Sequence, residues 1–273
     1  QRQMCIRDRD MYQPKLKKKR NGIPIMSNSE IDAHAEQFLK EYNPSVLKNP
    51  QPIDMEDFAE YYLNLALDYV YLSHCGFILG RMVFQEVERV PVYLPKERCA
   101  DYLFARRGTL FIDNTLLNDW KEYRLRSTIG HECGHWLFHS DYYTNVDRRS
   151  YNTYKSQPEL TGCKKTDIEG GEERTGRRKL LTDQDWLEHH AKYFSAAILM
   201  PKTPFLIAVS DLLENSQQDT TALAESLSEI FQVSPSSVNI RLSQLGLKEH
   251  IAGMGGKQEK EPYQLFSQIP STL

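Results

Sequence analysis

The chain has 273 residues, a formal net charge of −3, and 40% hydrophobic against 26% charged residues. That length suits one good core, or a core with a small appendage, and the charge excludes a global electrostatic pull toward nucleic acid. No run is long and apolar enough to span a membrane, no basic segment followed by an apolar one opens the chain, and the five cysteines are scattered with no CxxC pair, so a cytoplasmic protein with reduced thiols is expected.

In chain order, residues 1–25 are expected to be non-native or disordered. Met4-Cys5-Ile6-Arg7-Asp8-Arg9 looks like a sequencing adapter translated in frame, and the basic stretch 15–20 reads as a solvated tail. The start is then expected at Met11 or Met26. Residues 26–202 read as one domain. Residues 29–42 form an amphipathic helix with Ile31, Ala35, Phe38 and Leu39 on one face, closed by Asn43-Pro44. After a proline-rich linker at 49–52, residues 54–67 read as a second helix. Short β-rich runs follow at 68–72, 77–84, 91–95 and 108–113, which predict a small, mainly antiparallel sheet.

The next segment carries the chemistry. His131, Glu132 and His135 form an HExxH pattern. Two imidazoles four residues apart share one helix face, where both can reach one metal ion; the glutamate between them is placed to take a proton from water at that ion. Ile129, Trp136, Leu137 and Phe138 supply the apolar anchors of a buried helix. Gly134 is costly in a helix interior and predicts close approach by a neighbouring backbone. The bland alternative is a core helix with two satisfied histidines.

Catalytic zinc usually has three protein ligands and a water. His139 is a poor third: on a straight helix it sits roughly 12 Å from His131 and is rotated by about 80°. It suits the helix end or a supporting role behind the ligands. Better donors lie on a second helix beginning near 185, which Thr182 or Asp183 can cap and Pro201 stops. Glu188, His189 and His190 are the rivals there, and spacing alone leaves the choice open. Small Ala191, one turn after Glu188, leaves room for a helix to pack closely.

HExGH followed by ExxAxxFxAxxLMP, here Glu188, Ala191, Phe194, Ala196 or Ala197, and Leu199-Met200-Pro201, resembles the ImmA/IrrE family of metallo-endopeptidases. The likeness extends more weakly over residues 50–247. Helix, small sheet, HExxH helix and ligand helix together make an α+β fold with a zincin-like core, and the resemblance implies Zn2+ held by His131, His135 and Glu188, with Glu132 as the catalytic base. It also implies a protein substrate, a helix-turn-helix repressor of a mobile element or stress regulon. Cys133 stands where that family often has an aliphatic residue; a buried cysteine packs as a small hydrophobe, so no change in function is expected.

The long polar stretch 140–181 reads as a loop that gates the cleft or stays disordered. Tyr142, Tyr143, His139 and Arg178 are its candidates, with neighbours, for stabilising the oxyanion. The strand at 110–113 is a candidate sheet edge for holding substrate as an added strand. Residues 203–250 read as a helical region resembling a helix-turn-helix, and 251–273 as a disordered tail. A DNA-reading helix would expose Asn239, Arg241 and Gln244, but basic residues there are few, so direct DNA binding is not expected. Packing on the core or gripping a protein partner is expected instead. Two other classes remain: a non-proteolytic zinc-containing regulator that binds DNA or a repressor through the C-terminal helices, and an antitoxin-like partner whose metal site is only structural and closed by four protein ligands.

Overall fold

The computed structural model of the chain describes residues 11–118, 122–144, 160–168, 180–215 and 220–254. The fold is α+β, with a small mixed sheet beside a helical body. Helix α1 (Asn28–Tyr42) begins at a capping box, in which Ser27 and Glu30 satisfy each other's backbone amides, and ends at Asn43. Its predicted face, Ile31, Ala35, Phe38 and Leu39, is buried.

The second predicted helix is much shorter than 54–67. An α-turn, α2 (Met55–Asp57), runs into a π-turn at Phe58–Tyr62, and Asn64 then takes a left-handed φ of 53°. That reversal frees Leu67 to enter strand β1 (Ala66–Val70). Strands β2 (Ile78–Met82), β3 (Val87–Leu94), β4 (Cys99–Ala105) and β5 (Thr109–Asp113) follow. Strand β6 (Cys163–Lys164) lies inside the stretch read as a loop, and the short helix α4 (Lys165–Ile168) follows it directly.

The main sheet has the order β1-β5-β2-β6, and β3-β4 form a separate hairpin. The expectation of a mainly antiparallel sheet needs one amendment: β1 runs parallel to β5, while β2 is antiparallel to both β5 and β6. The predicted substrate edge at 110–113 is also corrected. Strand β5 is paired on both sides and its residues 110–113 are buried, so it has no free edge.

Helix α3 (Glu122–Thr144) carries HExxH beneath β2. Helix α5 (Asp183–Leu199) opens at a capping box between Thr182 and Asp185. Helices α6 (Lys202–Asn215), α7 (Thr220–Phe231), α8 (Pro235–Gln244) and α9 (Leu247–Met254) complete the described chain. One buried apolar cluster runs from Ile23 to Ile251, so the C-terminal helices share the core of the sheet and α3. At its centre Phe38, Phe138 and Phe194 bring α1, α3 and α5 together, with centroid separations of 6.4, 6.1 and 5.2 Å. Such ring pairs contribute about 0.5–1.5 kcal/mol each beyond the area they bury.

Residues 11–25, expected as a non-native or disordered arm, are seated on this body. Ile23 is fully buried, Tyr12 shares a hydrogen bond with His34, and Lys18 and Lys19 pair with Asp141 and Asp183. The arm therefore bridges the C-terminal part of α3 and the start of α5. The expected tail at 251–273 is corrected at its start, where residues 251–254 belong to α9 and Ile251 is buried in the core; the remainder lies outside the described residues. Among the described residues no single helix is long and apolar enough to cross a membrane.

Candidate metal centre

Helix α3 is buried through its middle, and His131, Glu132 and His135 are all solvent-inaccessible. Two glycines let α5 press against it. A side chain on Gly134 would meet Ala191 Cα at 3.1 Å, and one on Gly130 would meet Ser195 Oγ at 3.0 Å. Ser195 also donates to Ser127 O at 2.9 Å. The predicted backbone approach at Gly134 and the room left by Ala191 are thus one contact. It brings Glu188, one helical turn before Ala191, over the two histidines.

His131 Nε2 and His135 Nε2 lie 3.1 Å apart. Glu188 Oε2 is 3.3 Å from the first, and Oε1 is 3.7 Å from the second. The three ligand atoms lie within 4.8 Å of one another, close enough to hold one metal ion. Glu188 Oε2 is buried and, despite its closeness to His131, has no hydrogen-bond alignment with any described group. A carboxylate oxygen and two imidazole nitrogens converging on one point can supply the lone pairs a cation requires. Two imidazoles and a carboxylate are also a common donor set for zinc with one position open. The residues present fit a divalent metal ion.

Burial by itself would raise the Glu188 carboxyl, but His131 and His135 outweigh it and hold it well below the usual carboxylate range. Burial pushes His135 down, and Glu188, Glu132 and Asp167 more than reverse this, so it is raised. Gln184, one turn before Glu188, donates to Oε1 at 2.8 Å and also hydrogen-bonds Tyr143. Sequence reasoning missed Gln184; its only signal is the four-residue spacing to Glu188.

The rival ligands are placed elsewhere. His189 Nε2 lies 3.0 Å from Asn28 Oδ1, and His190 stacks on His139 at 5.6 Å between ring centroids. His139 supports the centre from behind: its Nδ1 is 2.9 Å from His135 Nδ1, and its Nε2 is 3.4 Å from His190 Nδ1. If His135 presents a bare Nε2 to an ion, its proton sits on Nδ1 and His139 Nδ1 must accept it. His139 then donates through Nε2 to His190, so one choice of tautomer sets the next two. Burial lowers His139 well below the ordinary imidazole value and lowers His190 to about 4, which favours the neutral forms this chain of bonds needs.

Glu132 lies beside His131 and faces β2 and β6. A side chain on Gly80 of β2 would come within 3.1 Å of Glu132 Cγ, so the strand lies directly over it. Thr161 donates its hydroxyl to Glu132 Oε2, and the Cys163 amide donates to Oε1 at 3.2 Å. His131, Glu132 and Cys163 form a second group with ligand atoms within 4.8 Å. It is the weaker metal site, because both carboxylate oxygens already accept hydrogen bonds and only one imidazole takes part. Burial, ahead of Glu132, Asp167 and Glu188, raises the Cys163 thiol well above its ordinary value.

Of the oxyanion candidates, Arg178 lies outside the described residues. Tyr143 is buried against Phe84, with ring centroids 4.3 Å apart, and near His135 at 6.1 Å. Burial, with Glu188 and Glu132 beyond it, raises its phenol well above the ordinary value, so it remains a neutral donor. Arg241, named as a base-reading candidate, is buried: it pairs with Asp32 at 2.7 Å and donates to Met200 O at 3.0 Å. No family model matches the sequence, and no curated protein matches it.

Proposed function

We propose that the chain is a zinc-dependent endopeptidase of the ImmA/IrrE type, acting on a protein substrate in the cytoplasm. The observation that carries the reading is the convergence of His131, His135 and Glu188 from two separate helices, beside a buried glutamate on the same turn of α3. A structural zinc site would be expected to recruit a fourth protein ligand to the same point; among the described residues only the two imidazoles and one carboxylate meet there, which supports a site with a position open. Zinc held there would polarise a scissile carbonyl and acidify water. Glu132 would accept the proton of the attacking water and return it to the leaving nitrogen. His139 fixes the orientation of His135, and Gln184 fixes that of Glu188. The substrate class, a helix-turn-helix repressor, comes from the motif resemblance alone.

Purified protein should contain close to one zinc per chain and cleave the repressor encoded nearest its gene. Glu132→Gln should keep the metal and lose cleavage by several orders of magnitude; cleavage at the parent rate would overturn the mechanism. Glu188→Ala should lose metal. Full retention of zinc in that variant would mean that the ligand set is wrong.

A further inference from the structure

Strand β2 offers one side to β5 and the other to a piece of its own chain. On that outer side Ile78 faces Lys164, Gly80 faces Cys163, and Val83 bridges Leu160, all antiparallel. Strand β6 is only two residues long, and further bonds flank it. Thr161 N–H donates to Met82 O at 3.2 Å and Lys165 N–H to Phe77 O at 2.8 Å. The Met82 amide is met by the Thr161 hydroxyl at 2.7 Å instead of a backbone carbonyl, and the register shifts between Ile78 and Gly80. The same short segment occupies both oxygens of Glu132 through the Thr161 hydroxyl and the Cys163 amide. It therefore lies along the sheet edge nearest the metal ligands and covers the group that must handle the proton.

An extended polypeptide adds readily to an exposed sheet edge through backbone hydrogen bonds. We propose that the outer edge of β2, residues 78–83, is the seat for an extended substrate strand, and that residues 160–164 fill it as an internal stand-in that must leave before cleavage. The proposal rests on the peptidase reading for the word substrate, but not for the exchange of strands. Displacement frees Glu132 and the β2 edge together, so one movement opens both the binding surface and the base. A side chain at Gly162 would meet no described heavy atom within 4 Å, whereas Leu160, Thr161 and Cys163 on either side are buried, so the segment is held through its flanks.

The test uses the full, zinc-loaded chain. Val83→Cys with Leu160→Cys joins the bridged pair, so oxidation locks the segment in place and reduction releases it. Oxidation should lower cleavage of an unstructured protein such as casein at least about tenfold, with recovery on reduction and no effect in either single variant. Equal rates in the two states overturn the proposal. Hydrogen exchange supplies a readout that needs no activity. The amides of Thr161, Cys163 and Lys165 should exchange at least about a hundredfold faster than those of Gly108 and Val83, which bond within the β2–β5 region, because the segment opens locally. Exchange at the same rate as those amides overturns the proposal whether or not the protein cleaves anything. Thr161→Val, which removes the hydroxyl from both Glu132 and Met82, should speed exchange at Cys163 and Lys165 about fivefold; no change there counts against it. If no form cleaves but the segment exchanges quickly and the lock suppresses this, the displaceable segment stands and the peptidase reading fails.

Discussion

A single nitrogen-to-nitrogen contact gives His139 its importance. It is too far along α3 to join His131 and His135 at an ion, a conclusion that helix geometry alone permits. What spacing did not reveal is where its ring would go. Its Nδ1 meets His135 Nδ1 at 2.9 Å, and the far nitrogen reaches His190 on α5. Replacing it with leucine would leave the His135 N–H buried without an acceptor and its ring free to turn. His139→Leu should therefore weaken zinc binding by about 10–100-fold, measured by competition with a chelator, while His139→Asn keeps part of the affinity. Affinity unchanged in the leucine variant would show that the imidazole of His135 is oriented by packing alone. Glu188 illustrates the same limit: its rivals stood beside it in sequence, and only the face each takes on α5 separates them.

At the scale of elements, the metal centre depends on how closely α3 and α5 cross. Gly134 faces Ala191 and Phe194, where an added Cβ would come within 3.1 and 3.2 Å. The first of these is backbone, so relief requires the helices to part. Gly134→Val should cost about 1–3 kcal/mol of stability in the metal-free chain and weaken zinc binding as well, because Glu188 retreats with α5. Gly134→Ala should do both to a smaller extent, and urea denaturation with and without zinc separates the two effects. A stability loss with unaltered metal affinity would break the link between the crossing and the ligand geometry. The pair was legible because both signals are local: a glycine where helices avoid it and an alanine one turn past a carboxylate. The sheet was less legible. Strand β4 is exposed over most of its length and gives no alternating burial pattern to read. Strand β6 has two residues, and its place beside β2 depends on contacts across some eighty positions of sequence. The apolar positions of 54–67 suit a helix as well as the turn-and-strand that Asn64 imposes, so periodicity alone does not separate the two.

Across the whole molecule, the C-terminal helices are tied to the metal-bearing body by buried arginines at both ends of the contact. Arg126, on α3 shortly before HExxH, donates to the carbonyls of Phe231, Gln232 and Ile53, which satisfies the end of α7. Arg241 on α8 reaches Asp32 on α1, and Tyr193 on α5 donates to the other oxygen of that carboxylate at 2.9 Å. A helix whose only basic residue is spent this way has little left for phosphate contacts, which weighs against the DNA-binding regulator. Removing one partner of such a pair leaves a buried charge uncompensated. Arg241→Met should therefore destabilise the chain by about 3–5 kcal/mol, whereas combining it with Asp32→Asn should recover part of that loss, since the stranded charge is gone. Thermal unfolding followed through both the helical signal and zinc release should show one transition in the parent chain, because the core is continuous. If Arg241→Met instead melts the C-terminal helices first and leaves zinc bound to a folded remainder, the helices form a unit separate from the metal centre.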